Sequence, residues 1–276
     1  MLYLLIKTEY FNIIPKFLCN FMANYSFLNI MKSILEICAG DIASVKAAAH
    51  GGAERVELCS ALGVGGLTPS EGFIREAARV CGVKIHVLIR PREGHFVFSD
   101  DEVNIMLHDI DVAADCGASG VVIGALNCGG KIDTDSCRRL VAAAKKHGLS
   151  VTFHRAFDQV ADAFEALEAV IELGCDRILT SGLAPSAIEG AEMLRKLNEA
   201  AAGRITLIAA AGVNSRNAAD IIRISRCHEI HASARHETPS PMSFVRGDVA
   251  MGAIADEDFK RKTTDINEVK RIKESI

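Results

Sequence analysis

Ionisable side chains cluster at the end of one short β-type run. The segment Val151-Thr-Phe-His-Arg-Ala-Phe-Asp158 changes abruptly from apolar residues to His154, Arg155 and Asp158. A strand has no packing reason to end on an imidazole and a guanidinium, so this change predicts the rim of a site. Imidazole and carboxyl groups exchange protons near neutral pH, and acid–base chemistry is therefore the first expectation.

The same pattern recurs in other short apolar runs that end on polar or thiol residues. Active sites of parallel α/β proteins lie at the C-terminal ends of strands, so the ends of these runs predict one shared site. A glutamate base beside a histidine acid would support proton transfer or C–O bond chemistry on an anionic substrate. Alternatively, these groups form a salt-bridge network that only holds the barrel mouth, because buried charges persist when paired. The predicted catalytic residues are Glu36, Glu57, Arg90, His154 and His231.

Two Glu-x-Cys units, Glu36 to Cys38 and Glu57 to Cys59, fall on neighbouring predicted strands. Residues two apart in a strand face the same side, so each glutamate shares a face with its cysteine. At matching depth, adjacent strands ~4.8 Å apart would bring the two thiols together. Soft thiolates of this kind suit Cu(I). The alternative is that Cys38 and Cys59 simply fill a layer of the barrel, since free cysteine is commonly buried.

Several loops after predicted strands have the composition of anion-binding turns. Barrels commonly bind phosphate on backbone N–H groups after their last strands. The Ile89-Arg-Pro-Arg92 segment could add bidentate guanidinium contacts. The predicted ligand-binding residues are Arg92, Thr180, Ser181, Gly182, Gly212 and Ser233.

The elements that must position these residues alternate strand and helix from Met31 onward. Eight βα units can close as a barrel or lie open as a doubly wound sheet. Closure is favoured because the ionisable strand ends converge only in a barrel, so we predict an α/β fold, a single-domain (β/α)8 TIM barrel over residues 31–276. The eight predicted strands start near Ile34, Arg55, Ile85, Gly120, Ser150, Arg177, Ile205 and Glu229.

Composition and charge limit the partners and the cellular compartment that we expect for this protein. The chain has 276 residues, a net charge of -4 and nine cysteines without a Cys-x-x-Cys pair. The acidic balance argues against nucleic acid as a partner, and the cysteine usage indicates a reduced, cytoplasmic protein. Residues 1–30 hold all three tyrosines and lack the downstream pattern, so we expect a dispensable N-terminal extension. Its apolar runs are too short for a membrane span.

Six segments together resemble the CutC copper-homeostasis family, over about Met31 to Gly252. The resemblance implies a (β/α)8 barrel, a cytoplasmic homo-oligomer, and copper handling through Cys38 and Cys59. Two classes of function therefore stay open: a protein that binds Cu(I), or an enzyme acting on a small anionic metabolite. The segments are Glu54-Arg-Val-Glu-Leu-Cys59, Gly65-Gly-Leu-Thr-Pro-Ser70, Ile89-Arg-Pro-Arg92, Val151-Thr-Phe-His-Arg-Ala-Phe-Asp158, Leu179-Thr-Ser-Gly182 and Glu229-Ile-His-Ala-Ser-Ala-Arg235.

Overall fold

The computed structural model describes residues 33–244, 246, 249 and 259–276. Eight parallel strands form a closed barrel in sequence order, and the last strand pairs with the first. The predicted TIM barrel is confirmed. Six of the eight predicted strand starts coincide with the observed ones, and the other two differ by one residue. The strands are β1 (Ile34–Ala39), β2 (Arg55–Leu58), β3 (Lys84–Leu88), β4 (Gly120–Ile123), β5 (Ser150–Phe153), β6 (Arg177–Thr180), β7 (Thr206–Ala209) and β8 (Glu229–Ala232).

A helix follows each of the first seven strands before the chain enters the next one. Ser99 caps the third helix, in a capping box with Glu102. The helices are α1 (Ile42–Gly51), α2 (Glu71–Ala78), α3 (Asp100–Asp115), α4 (Thr134–Lys146), α5 (Ala163–Glu172), α6 (Ala191–Ala201) and α7 (Ala218–Ser225).

The chain after β8 forms a small addition before the last helix. Strands β9 (Arg235–Pro239) and β10 (Lys260–Thr264) pair in an antiparallel ladder, and α8 (Ile266–Glu274) follows. Val269 of α8 is buried, and a Cβ placed on Gly51 of α1 would lie 2.5 Å from it. This close approach holds α8 against α1, so the eighth helix completes the outer ring. The predicted extension over residues 1–30 lies outside the described residues.

The main apolar core lies between the strands and the surrounding helices. In β1, Leu35, Ile37 and Ala39 are fully buried in that outer layer. Successive strand residues face opposite sides, so Glu36 and Cys38 face the barrel interior. TIM-barrel interiors are normally filled by branched aliphatic side chains. This barrel instead has charged groups in its interior, which is the starting point for its site.

Candidate functional site

A chain of ion pairs crosses the lower part of the barrel interior. Arg55 on β2 donates through Nε to Glu36 and through Nη2 to Glu229 at 2.6 Å. Arg177 on β6 donates to the same Glu229 oxygen at 3.1 Å. Burial raises the pKa of Glu36, but Arg55 and then His231 outweigh it and hold that pKa well below its usual value. Arg55 thus neutralises Glu36 inside the barrel.

Glu36 pairs with Arg55 in this network and not with Arg90, the arginine among the predicted catalytic residues. Arg90 donates instead to the backbone carbonyls of Val64, Gly66 and Gly94, at 2.9 to 3.0 Å. Its role in the described structure is to fix two loops above the barrel. Arg55 could have been found from sequence, because it is two residues before Glu57 and must share its face.

One imidazole lies between the two predicted glutamates. His231 Nδ1 is 2.7 Å from a carboxylate oxygen of Glu36, and its Nε2 is 3.7 Å from one of Glu57. Burial lowers the pKa of His231, but hydrogen bonds with Cys38 and Glu36 outweigh burial and raise the net pKa well above the ordinary value. Burial, only partly offset by His231, raises the pKa of Glu57 to about 6. At neutral pH the pair is therefore an imidazolium beside a carboxylate.

The two thiols face the interior but not at matching depth. In the β1–β2 register Cys38 lies opposite Glu57, so Cys59 is two residues closer to the mouth. The expectation of level Glu-x-Cys units is wrong for this reason, and the thiols are diagonal neighbours. Cys59 is almost fully buried against Leu88 and Val122. Burial raises the pKa of its thiol well above the usual value, and the nearby Glu57 and Cys38 raise it further.

His154 is the first residue after β5 and lies under a loop of the mouth. Its ring is 4.9 Å from the ring of Phe96, and a Cβ on Gly124 would lie 2.5 Å from it. The exposed fraction of His154 is 4%. It is therefore a buried histidine that faces the site, and the expectation of a rim histidine with little packing is corrected. Arg155 pairs with Asp158 at 2.7 Å.

These side chains surround a cavity of about 290 Å³ at the C-terminal end of the strands. That volume is at the lower end for ligand pockets and fits a small metabolite. Arg155, Arg235 and Phe96 also line it and were not among the predicted site residues. Of the predicted residues, those that line the cavity are Cys38, Glu57, Arg90, His154, Gly212, His231 and Ser233.

The predicted anion cradle after β6 already holds a carboxylate of the protein itself. Asp158 accepts hydrogen bonds from Thr180 Oγ1 at 2.5 Å, from Ser181 N at 2.9 Å and from Leu183 N at 3.3 Å. Gly182 N donates to Thr180 Oγ1. The expectation that Thr180, Ser181 and Gly182 bind a ligand is therefore corrected, because Asp158 accepts from Thr180 and Ser181, and the Gly182 N–H is used by Thr180.

Arg92 lies outside the cavity, although it is one of the predicted ligand-binding residues. It pairs with Glu102, the capping residue of α3, and donates to the carbonyls of His95 and Val97 at 2.8 Å. These bonds order the loop that carries Phe96, and Arg92 is not among the residues around the cavity. The prediction of a ligand-binding Arg92 is corrected on this geometry.

Gly212 follows β7 at the wall of the cavity. Ala211 and Gly212 both have positive φ, 79° and 70°. Only Gly212 adopts that conformation without a Cβ penalty. The Gly212 carbonyl accepts from Asn214 and Asn217, which fixes this wall.

Ready-made metal clusters and membrane-spanning helices are both absent from the part of the chain that the structure describes. No group of three or more histidine, cysteine, aspartate or glutamate residues there has an arrangement suited to a metal ion. Among the same residues, no helix has the length and apolar character that crossing a membrane requires.

Known proteins are similar to this chain in sequence and in fold. Residues 33–236 match the CutC family. A CutC family protein of Vibrio campbellii is 45% identical over 239 residues, covering 87% of this chain and 97% of that protein. One from Chromobacterium violaceum is 45% identical over 246 residues, covering 89% and 99%.

Among solved structures, a protein of Streptococcus agalactiae, named a candidate copper homeostasis protein CutC, superposes with a TM-score of 0.69. It is 33% identical, covering 72% of this chain and 97% of that one. Phosphoribosylanthranilate isomerase of Thermotoga maritima superposes with a TM-score of 0.53 at 13% identity, covering 88% and 98%. That second likeness concerns the fold alone.

Proposed function

The chain belongs to the CutC family, and we propose that it serves copper homeostasis by binding Cu(I) through Cys38 and Cys59. The observation that carries this proposal is the pair of thiols on the interior face of adjacent strands, one of them in the wall of the cavity. Thiolates are the soft ligands that select Cu(I). The name of the Streptococcus agalactiae relative supports the same role.

Copper binding at this pair requires loss of a proton from a buried thiol. Because burial raises the pKa of Cys59, Cu(I) must displace its proton at neutral pH. We expect the apparent Cu(I) affinity to increase as pH rises across the neutral range. Competition with a chromophoric Cu(I) chelator, under anaerobic reducing conditions, measures this directly.

Cysteine variants test which thiols are used. Replacing Cys38 and Cys59 together with serine should abolish Cu(I) binding. The matched control replaces Cys81 and Cys128, which are exposed and do not line the cavity, and should bind as the unmodified chain does. Equal affinity with and without Cys38 and Cys59 would contradict the proposal.

A second function, an enzyme of the lyase, isomerase or hydrolase type, is favoured by a separate observation. His231 lies between Glu36 and Glu57, and environments that drive neighbouring pKa values apart assign acid and base roles. Glu57 is the base in this proposal, because Arg55 already pairs with Glu36. His231 is the acid.

The substrate of this second function would be a small anion. Arg155 and Arg235 line the same cavity and provide positive charge there. Mass spectrometry of ligands that co-purify with the protein is the first experiment. Glu57→Gln should then abolish turnover of the identified compound, and turnover that survives this change would exclude Glu57 as the base.

Assembly and location follow from family membership as further proposals. We expect a homo-oligomer in the cytoplasm. Light scattering after size-exclusion chromatography measures the first, and fractionation of the source cells measures the second. A monomer across the accessible concentration range would contradict the oligomer.

A further inference from the structure

The protonation state of His154 can be read from its contacts. The backbone N–H of Ala156 donates to His154 Nδ1 at 3.2 Å. A backbone amide can only donate, so Nδ1 must be an acceptor and carry no proton. A neutral imidazole with a bare Nδ1 has its proton on Nε2. His154 is therefore a fixed Nε2–H tautomer.

The surroundings keep this ring neutral. Burial, and then the positive charge of Arg90, lower the pKa of His154 to about 3. Arg90 is held in place by its three carbonyl acceptors and lies 5.0 Å from the Phe96 ring. A proton added at Nδ1 would also oppose the Ala156 amide. His154 is thus a neutral donor throughout the physiological range.

The donor has nothing to bind within the described residues. Nε2 of His154 is buried and lacks a hydrogen-bond partner there, while the residue lines the cavity. A buried donor without an acceptor costs free energy that an acceptor in the cavity would recover. A metal ion cannot use this nitrogen, because Nε2 carries the proton.

We propose that His154 Nε2–H binds a carbonyl or carboxylate oxygen of a small organic anion in the cavity. The volume of about 290 Å³ limits that anion to a small compound, and Arg155 and Arg235 in the same lining favour negative charge. The proposal rests on the acid–base function above, since it assumes that a metabolite enters the cavity. His154 fixes the oxygen of that metabolite, on the wall formed by β5.

Long-range ¹H–¹⁵N correlation spectra of histidine-labelled protein test the proposal without requiring turnover. We expect a neutral Nε2–H tautomer for His154 at pH 7. Pyruvate, a small 2-oxo acid, should shift the Nε2 and Hε2 resonances saturably. Ethylammonium, which has no acceptor oxygen, should leave them unchanged. An Nδ1–H tautomer, an imidazolium, or the absence of a saturable shift with both pyruvate and acetate would overturn the assignment.

Variants identify the hydrogen bond itself. His154→Leu should weaken pyruvate binding by about tenfold, and His154→Gln should partly restore it, because the Gln amide can donate from a similar position. The matched control is His147→Leu on the surface, where His147 pairs with Asp111. Equal pyruvate binding in the Leu and Gln variants would overturn the proposal. If pyruvate binds at His154 but no co-purified compound is turned over, the acid–base function fails and the oxygen site stands.

Discussion

Removing Arg55 is expected to destabilise this barrel more than removing any exposed arginine. Arg55 is the cation between Glu36 and Glu229, and all three side chains are less than one-tenth exposed. Arg55→Met keeps much of the aliphatic stem and removes the charge. Among the described residues, this change would leave Glu36 paired with His231 and Glu229 paired with Arg177.

Breaking a buried pair by removing one partner costs about 3 to 5 kcal/mol. This cost is a large fraction of the free energy of unfolding of a typical protein, about 5 to 15 kcal/mol. At roughly 2 to 4 °C per kcal/mol for chains of this size, the melting temperature should fall by about 6 to 20 °C. The measurement is urea unfolding at pH 7, followed by circular dichroism. Arg79→Met is the matched control, because Arg79 pairs with Glu76 on the surface and is 74% exposed. It should lose less than about 1 kcal/mol.

The pH dependence of the difference in unfolding free energy between Arg55→Met and the unmodified chain gives a second check. The pKa of Glu36 is depressed in the folded protein, so its contribution to stability is present above its unfolded pKa and is lost as pH falls through the folded value. Without Arg55, burial raises that pKa above the unfolded value, and the carboxylate destabilises the fold until it is protonated. The gap between the variant and the unmodified chain should therefore narrow on acidification. Above about pH 4.3, the ordinary glutamate value, the variant regains stability as its Glu36 takes up a proton, and below that pH the unmodified chain loses the Glu36 contribution. A loss below about 1 kcal/mol at pH 7, or a gap that widens in acid, would refute the reasoning.

Three further predictions follow from other parts of the chain. Deleting residues 1–30 should leave the melting temperature unchanged in a thermal scan, and a large loss would show that the segment packs with the barrel. Gly124→Ala would place a Cβ 2.5 Å from His154 and should lower the free energy of unfolding in urea by about 1 to 3 kcal/mol. An unchanged free energy would show that the His154 ring is not held in place. Asp158→Ala should empty the cradle at Thr180, so added sulfate should raise the melting temperature of this variant more than that of the unmodified chain; equal responses would count against a cradle.

The fold was predictable because its signals are periodic and local. Strand starts coincided at Arg55, Ser150 and Arg177, where β-type residues follow the end of a helix. The ladder of β9 and β10 and the helix after it were not predicted. They follow the last barrel strand, so the βα repeat of the sequence does not predict them. The packing of α8 depends on Gly51, which has no Cβ to clash with Val269.

The site was predictable in its residue types but not in its pairings. Alternation placed Glu57 and His231 in the interior, and both line the cavity. The register of β1 against β2 depends on the closure of the whole barrel, so the two-residue offset of Cys59 could not be read from the spacing. The anion after β6 was likewise missed, because Asp158 reaches Thr180 only once β5 and β6 are adjacent.

The two proposed functions require different states of the same two side chains, Cys38 and His231. The hydrogen bonds that His231 donates to Cys38 and Glu36 keep it protonated against the effect of burial. Cu(I) on the Cys38 sulfur would weaken that sulfur as an acceptor for His231, and the added positive charge would lower the pKa of His231. A copper-loaded protein would then lack the acid of the proposed enzyme. Copper binding and acid–base turnover therefore exclude each other at this site, so any turnover should fall in proportion to bound Cu(I).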